Sequence, residues 1–343
     1  MNVRAEDLEA FAREIFERAG LSETHARAQA DILIWANLRG IDSHGVLRIP
    51  RYLEWLREGR MNATPDIQVT GDTPAAVLID GDGAPGTLAM GFAMQRAIEK
   101  ARAAGIGWAL VGHTTHSGPV GYYAQLAVRE EMAGIAIMTS RPNMAYFGSK
   151  AAGVATSPIA IAVPGGPDGS VMLDMATSEL AIGKIMDARA RGVAIPAGGA
   201  LTQDGRPTTD PAEAAIPMPL GGAKGSGLSL MFETLISLMV GRPLLEPVLA
   251  GRERGHSQNG LAIAVNIAAF TDAGDYKENM TALGHALKGL PPLAEDGEIL
   301  LPGEPEIRRL EERGQNGIPL PVRIWSQLSA AAETLDVPMP ETV

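Results

Sequence analysis

Residues 75–86 read Ala-Ala-Val-Leu-Ile-Asp-Gly-Asp-Gly-Ala-Pro-Gly, an apolar run closed by a glycine-rich turn. Helical spacing takes over at 87–104. A second apolar run follows at Ile106–Val111, then a helical stretch from about Pro119 to Glu131 and a third run at Gly134–Thr139. Strand, helix, strand, helix, strand with short links implies right-handed crossovers and parallel pairing, so these three strands are expected side by side. Later runs at 158–163, 171–175 and 261–267 are expected in the same sheet. The turn Gly81–Gly86 matches G-x-G-x-x-G and links a strand to a helix, the setting of a dinucleotide-binding turn. Yet the next strand ends Ala109-Leu110-Val111-Gly112-His113, with no Asp or Glu placed to hold a ribose hydroxyl. Among 40 glycines a chance match is expected, and the motif is read as a tight turn.

Working outward, residues 5–19 and 22–38 read as amphipathic helices separated by Gly20-Leu21, with Ser22 as N-cap. A third helix covers roughly 50–59. Residues 192–222 are rich in Gly and Pro and read as a long loop. Helices are expected at 226–240 and around 277–288, and in the tail near 304–313 and 321–335.

At 343 residues the chain is long enough for about two domains. Its net charge of −11 repels polyanions and argues against a nucleic-acid partner. The absence of cysteine rules out disulfides, zinc–thiolate sites and thiol nucleophiles, and is compatible with the cytoplasm. The first twenty residues are amphipathic and acidic rather than leader-like, and no stretch approaches eighteen consecutive apolar residues, so no membrane span is expected.

Two histidine motifs about seventy residues apart carry chemistry. In Ser43-His44-Gly45-Val46-Leu47-Arg48-Ile49-Pro50-Arg51-Tyr52, the residues His44, Arg48 and Tyr52 recur every four positions. Pro50 cannot sit inside a helix, so a first turn should end near Arg48 and a new helix begin at Pro50. A guanidinium there suits an anionic ligand, since it holds a carboxylate with two parallel hydrogen bonds. The bland alternative is a solvated helix start. The second motif, Gly112-His113-Thr114-Thr115-His116-Ser117-Gly118-Pro119, follows a strand at the carboxyl end of the sheet, where ligands of open α/β sheets bind. A histidine there can exchange a proton with an alcohol near neutral pH. A rival reading joins His113, His116 and His256 in a metal site for a hydrolase or lyase. Further on, Gly221-Gly222-Ala223-Lys224-Gly225-Ser226-Gly227 opens an apolar helix. Unpaired N–H groups with a lysine favour a phosphate there. Ser140 ends the third strand on the same side. Asp174, in Leu173-Asp174-Met175-Ala176-Thr177-Ser178, is read either as a ribose ligand or as a helix cap.

Taken together, RGIDSHGVLRIPRY, GHTTHSGPVGYYA, LDMATSELAIGKI and KGSGL resemble the malate/L-lactate dehydrogenase family that lacks a Rossmann fold. That family also includes ureidoglycolate and sulfolactate dehydrogenases, diketogulonate reductase and cyclic-imine carboxylate reductases. The resemblance covers nearly the whole chain and implies an α/β fold, a mixed sheet with flanking helices. It implies a helical domain of residues 1–70, completed by 300–343, beside a cofactor-binding domain of residues 71–299. His116 would be the proton acceptor and Arg48 the carboxylate clamp, with His44 and Tyr52 lining the pocket. Ser140, Asp174, Met175, Ala176 and Lys224 would hold NAD, with NADP the alternative, in a homodimer. The reaction implied is hydride transfer between that cofactor and a 2-hydroxy or 2-keto acid of malate, lactate, sulfolactate or ureidoglycolate type. A cyclic-imine reductase and a non-catalytic binding protein are the rival outcomes. One departure is Thr156-Ser157-Pro158, where the family often has Thr-Asn-Pro, so a polar contact near the cofactor is expected to differ.

Overall fold

The computed structural model describes residues 1–252, 257–294 and 297–343. Three helices open the chain: α1 (Ala5–Arg18), α2 (Glu23–Leu38) and α3 (Ile49–Arg57). Ser22 caps α2 as expected, accepting from the His25 N–H. The apolar stripes of these helices meet the far end of the chain. Leu8, Phe11, Ile15, Phe16, Leu33 and Tyr52 share one core with Ile318, Leu320, Leu328 and Ala332. Asn2 and Val3 pair antiparallel with Pro319 and Ile318. Both chain ends thus build a single helical core.

The seven-stranded sheet comprises β1 (Gln68–Asp72), β2 (Ala76–Ala84), β3 (Ile106–Thr114), β4 (Met132–Thr139), β5 (Ile159–Pro164), β6 (Ser170–Met175) and β7 (Gln258–Asn266). Its spatial order is β1-β2-β3-β7-β4-β5-β6. β2 and β3 are joined by α4 (Gly86–Ala104) and pair in parallel, as the pattern predicts. The expectation that β4 lies beside them fails. β7 runs antiparallel between β3 and β4 and pairs with both along its length. The physical reason is burial on two faces. β7 turns Leu261 and Ile263 to one side and Ala262 and Ala264 to the other, and all four are buried. Such a strand belongs at the centre of a sheet, and nothing in the crossovers before it announces the insertion. The late runs do join the sheet, giving a mixed sheet with flanking helices.

Alternation of side chains then fixes the layers. Ala109, Val111, Ala136 and Met138 face α4 and α5 (Gly121–Arg129), with Trp35 of α2 packed behind. Leu110, Ile137, Leu261 and Ile263 face Phe232 of α7 (Ala223–Glu233) and Ile236 of the π-helical turn Thr234–Leu238 that continues it. The stretch 192–222, expected to be a loop, instead carries three short antiparallel strands, with Ala200–Leu201 between Pro207–Thr208 and Ile216–Pro217. Among the described residues no helix is long and apolar enough to cross a membrane.

Candidate active site

Residues 42–48 form two 3-10 turns, Asp42–His44 and Val46–Arg48, and α3 begins directly after them. The break at Pro50 is therefore as expected, and the three motif residues do not share one continuous helix. They converge nonetheless. The Tyr52 hydroxyl lies 2.6 Å from His116 Nδ1, and the rings of His44 and His116 stack with centroids 5.4 Å apart. Arg48 donates through Nε to the Ser43 carbonyl at 2.7 Å, and Ser43 Oγ lies 2.9 Å from His44 Nδ1. Burial, with help from Arg48, pushes the His44 pKa down to about 3. Burial pushes the Tyr52 hydroxyl well above its ordinary value, with Arg48 acting against it. At neutral pH His44 and Tyr52 are therefore uncharged. Arg48 supplies a fixed positive charge that has no acidic hydrogen-bond partner among the described residues, a setting that favours a bound carboxylate.

His116 sits in the loop between β3 and α5. Gly118 N–H donates to its Nδ1 at 3.2 Å. A backbone N–H cannot turn away, so the neutral ring is inferred to carry its proton on Nε2. The Tyr52 hydroxyl can rotate to accept instead of donate, which supports Nδ1–H when the ring is protonated or switches tautomer. With Nδ1 engaged by Tyr52 and Gly118, proton exchange with a ligand falls to Nε2.

The glycine motif 81–86 serves this loop rather than a phosphate. A Cβ on Gly81 would come within 2.9 Å of the His113 carbonyl, and one on Gly86 would overlap the Thr115 carbonyl. Asp82 and Gly83 have φ of 51° and 68°, so the motif is a sharp local bend within the end of β2, packed closely against the 113–117 loop. His113 has φ of 57°, and its Nδ1 lies 3.0 Å from Asp80 Oδ1, while His116 turns to Tyr52. The two histidines do not converge as the metal reading requires, and His256 lies outside the described residues.

The residues expected to hold the cofactor line the same edge of the sheet. Ser140 follows β4, and Asp174 and Met175 end β6, so all three share the carboxyl end of the sheet with the His116 loop. Asp174 Oδ2 accepts from Gly121 N–H, at the start of α5, at 2.9 Å. Its other oxygen has no partner among the described residues. Both readings of Asp174 are thus compatible, one oxygen capping a helix and the other available. The carboxyl is open to solvent on one side but surrounded by protein elsewhere. Burial, with a contribution from Glu306 and opposed by Gly121 N–H, pushes its pKa up to about 6. Met175 and Ala176 are half-buried beside it. Next along the chain, the Thr177 carbonyl packs on Gly225, and the Glu179 carboxylate accepts from Gly221 N–H at 2.8 Å. These contacts tie the start of α7 to the end of β6. Lys224, second in α7, is exposed, and Thr177 Oγ1 is buried without a partner. The N–H groups expected to be unpaired at this helix start are mostly taken up within the chain, Gly221 by Glu179, Gly222 by Pro219, Lys224 by Gly221 and Gly225 by Leu220, which leaves the Lys224 ammonium and the open Asp174 oxygen to fit the phosphate and ribose of a dinucleotide. Ser157, the departure noted above, turns away to Ser229 Oγ at 3.1 Å and is buried against α7.

Some neighbours of the pocket had no signal in the sequence. Gly183, in the first turn of α6 (Ile182–Arg191), lies so close to Ser43 that a Cβ would sit 2.6 Å from the serine Cβ. Glu306 acts on Asp174 from α9 (Glu304–Asn316), and Arg313 of the same helix grips Asp42. Each pair is far apart in sequence, and none belongs to a periodic pattern.

A guanidinium beside an imidazole–phenol pair is an arrangement suited to proton exchange on a small organic acid. The chain belongs to the malate/L-lactate dehydrogenase family, whose model matches residues 3–329. L-sulfolactate dehydrogenase of Methanocaldococcus jannaschii is 37% identical across 94% of this chain and 94% of its own length. The solved structure of sulfolactate dehydrogenase from that organism superposes with a TM-score of 0.88 at 35% identity, covering 99% of this chain and 98% of the other. Malate dehydrogenase from Entamoeba histolytica superposes with a TM-score of 0.94 at 27% identity, covering 99% of each chain. The NAD(+)-dependent ureidoglycolate dehydrogenase of Escherichia coli K12 is 30% identical over 97% of this chain and 96% of its own. The chain is accordingly a dehydrogenase acting on hydroxy acids.

Proposed function

We propose that the chain interconverts an anionic 2-hydroxy acid and its 2-keto acid with NAD, NADP being the alternative, in a cleft between the helical core of both chain ends and the α/β sheet. The helical side is read as a domain of residues 1–70 and 300–343, the sheet side as one of residues 71–299. The observation that carries this reading is the meeting of His116, Tyr52 and His44 beside the fixed charge of Arg48. Arg48 binds the substrate carboxylate and orients C2. For oxidation the neutral ring of His116 shifts its proton from Nε2 to Nδ1, where the Tyr52 hydroxyl accepts it, so that the bare Nε2 takes the substrate hydroxyl proton; reduction returns that proton from Nε2. His44, uncharged, stacks on the imidazole and limits where it can swing. Asp174 would hold a ribose, Lys224 a phosphate, and Ser140, Met175 and Ala176 would line the same wall. The dinucleotide, when bound, supplies the hydride acceptor or donor.

The proposed assembly is a homodimer. Leu228, Met231, Leu235, Leu238 and Met239 are 42–56% exposed and form one apolar stripe along α7 and its π-helical turn. Lys224 stands on the same face, one turn earlier. A second copy covering the stripe would remove that surface from water.

The test is a panel of 2-hydroxy and 2-keto acids, including lactate, malate, sulfolactate and ureidoglycolate, assayed with NAD and NADP at the nicotinamide absorbance band. Turnover of at least one acid is expected. No turnover of any acid with either cofactor would overturn the reading.

A further inference from the structure

We infer that Arg313, near the far end of the chain, is a positioning residue for the substrate pocket, holding the 42–48 turn through Asp42. The inference rests on the reading that this turn binds the substrate carboxylate.

Arg313 lies in α9, and its side chain is only 10% exposed. Its guanidinium grips Asp42 with both ends, Nη1 to Oδ1 at 2.6 Å and Nη2 to Oδ2 at 2.9 Å. Nη1 also donates to the Asn37 carbonyl at the end of α2. Asn37 completes the frame. Its Nδ2 donates to Asp42 Oδ1 at 2.7 Å, and its Oδ1 accepts from Val46 N–H at 2.8 Å. Gly45 presses on the same amide, so that a Cβ there would overlap it. One residue at each end of the turn is thereby fixed, Asp42 by Arg313 and Val46 by Asn37. Between them lie Ser43, whose carbonyl holds Arg48 Nε, and His44, which stacks on His116. The short turns have few backbone hydrogen bonds of their own: His44 N–H to Ile41, Gly45 N–H to Asp42, Arg48 N–H to Gly45 and Ile49 N–H to Val46. The aim of Arg48 therefore depends on two holds, one from Asn37 of α2 and one a bidentate grip on Asp42 from a residue 271 positions further along the chain.

A planar fork is needed for this. Lysine can reach one carboxylate oxygen, but it cannot span both while also meeting the Asn37 carbonyl. Arg313→Gln and Asp42→Asn each break the grip, and Arg313→Lys retains part of it.

Each variant is to be compared with wild type in steady-state turnover of the acid the enzyme uses best, in cofactor binding by nicotinamide fluorescence, and in amide hydrogen exchange over residues 43–48. Arg313→Gln is expected to lower kcat/KM for the acid roughly ten- to hundredfold. It should leave cofactor Kd within about twofold and speed exchange in the turn roughly tenfold or more. Arg313→Lys should fall between wild type and Arg313→Gln. Unchanged kcat/KM and exchange in Arg313→Gln would overturn the inference. So would equal losses of acid use and cofactor binding, which would mark Arg313 as general scaffolding. If wild type turns over no acid while exchange still responds, the reading of the pocket fails, and with it the catalytic half of this inference. The strut itself then stands on the exchange result.

Discussion

His44, Tyr52 and His116 hold one another in place, whereas Lys224 and the outer oxygen of Asp174 extend from the fold without protein partners among the described residues. The first group is compact and mostly screened from water, with His44 and Tyr52 uncharged and Arg48 beside it. The second carries unpaired charge at an open edge. Chemistry that moves a proton needs its donor and acceptor fixed before the ligand arrives. A large dinucleotide instead brings many of its own contacts, so its wall needs only to offer complementary groups. Substitutions in the first group should therefore act on turnover, and those in the second on binding.

The largest effect is expected from His116→Ala. It should lower kcat by roughly two to four powers of ten and leave cofactor Kd nearly unchanged, read by stopped-flow turnover and fluorescence titration. Retained turnover would remove the imidazole from the proton path and erase the contrast between the two walls. Arg48→Lys should raise KM for the acid roughly ten- to hundredfold, because an ammonium cannot reproduce the bidentate fork. An effect on cofactor Kd of similar size would place Arg48 on the wrong wall. Lys224→Ala should weaken cofactor binding by about tenfold, more so at low salt, with KM for the acid nearly constant.

The smallest effect tests charge at the open edge. The folded Asp174 carboxyl has a pKa of about 6, against an ordinary value of 3.8. The folded state thus binds this proton more tightly than the unfolded state, and the ionised form costs stability. That cost is absent well below pH 4, grows between pH 4 and 6, and is complete above. Asp174→Asn should raise Tm of the cofactor-free protein by a few °C at pH 8, with the gain vanishing near pH 4. A gain independent of pH would mean that the carboxylate charge is not the source.

Local patterns in the chain were legible. Short apolar runs located β2 to β7 but not the exposed edge strand β1, Ser22 announced the start of α2, and Pro50 marked the break before α3. The glycine motif at 81–86 was read as a tight turn because the following strand lacks an acid for a ribose, and a sharp bend at Asp82 and Gly83 is found there. What escaped was pairing at long range. β7 displaced β4 from β3, and the segment 192–222 found strand partners within itself. The approach of Gly183 to Ser43 and the grip of Arg313 on Asp42 depend on how helices pack, which residue spacing does not encode. Spacing drew attention to His44, Arg48 and Tyr52, and the family resemblance assigned their roles and that of His116, but the nitrogen of His116 that accepts from Gly118 needed coordinates.

The central placement of β7 also sets a timetable for biosynthesis. On a ribosome, β3 and β4 emerge more than a hundred residues before the strand that belongs between them. Until residues 258–266 appear, each holds an unpaired edge of buried-type sequence, open to pairing with the wrong neighbour or with another nascent chain. The sheet can close only after most of the polypeptide has been made, so slow, late folding and a need for protection during synthesis are built into its strand order.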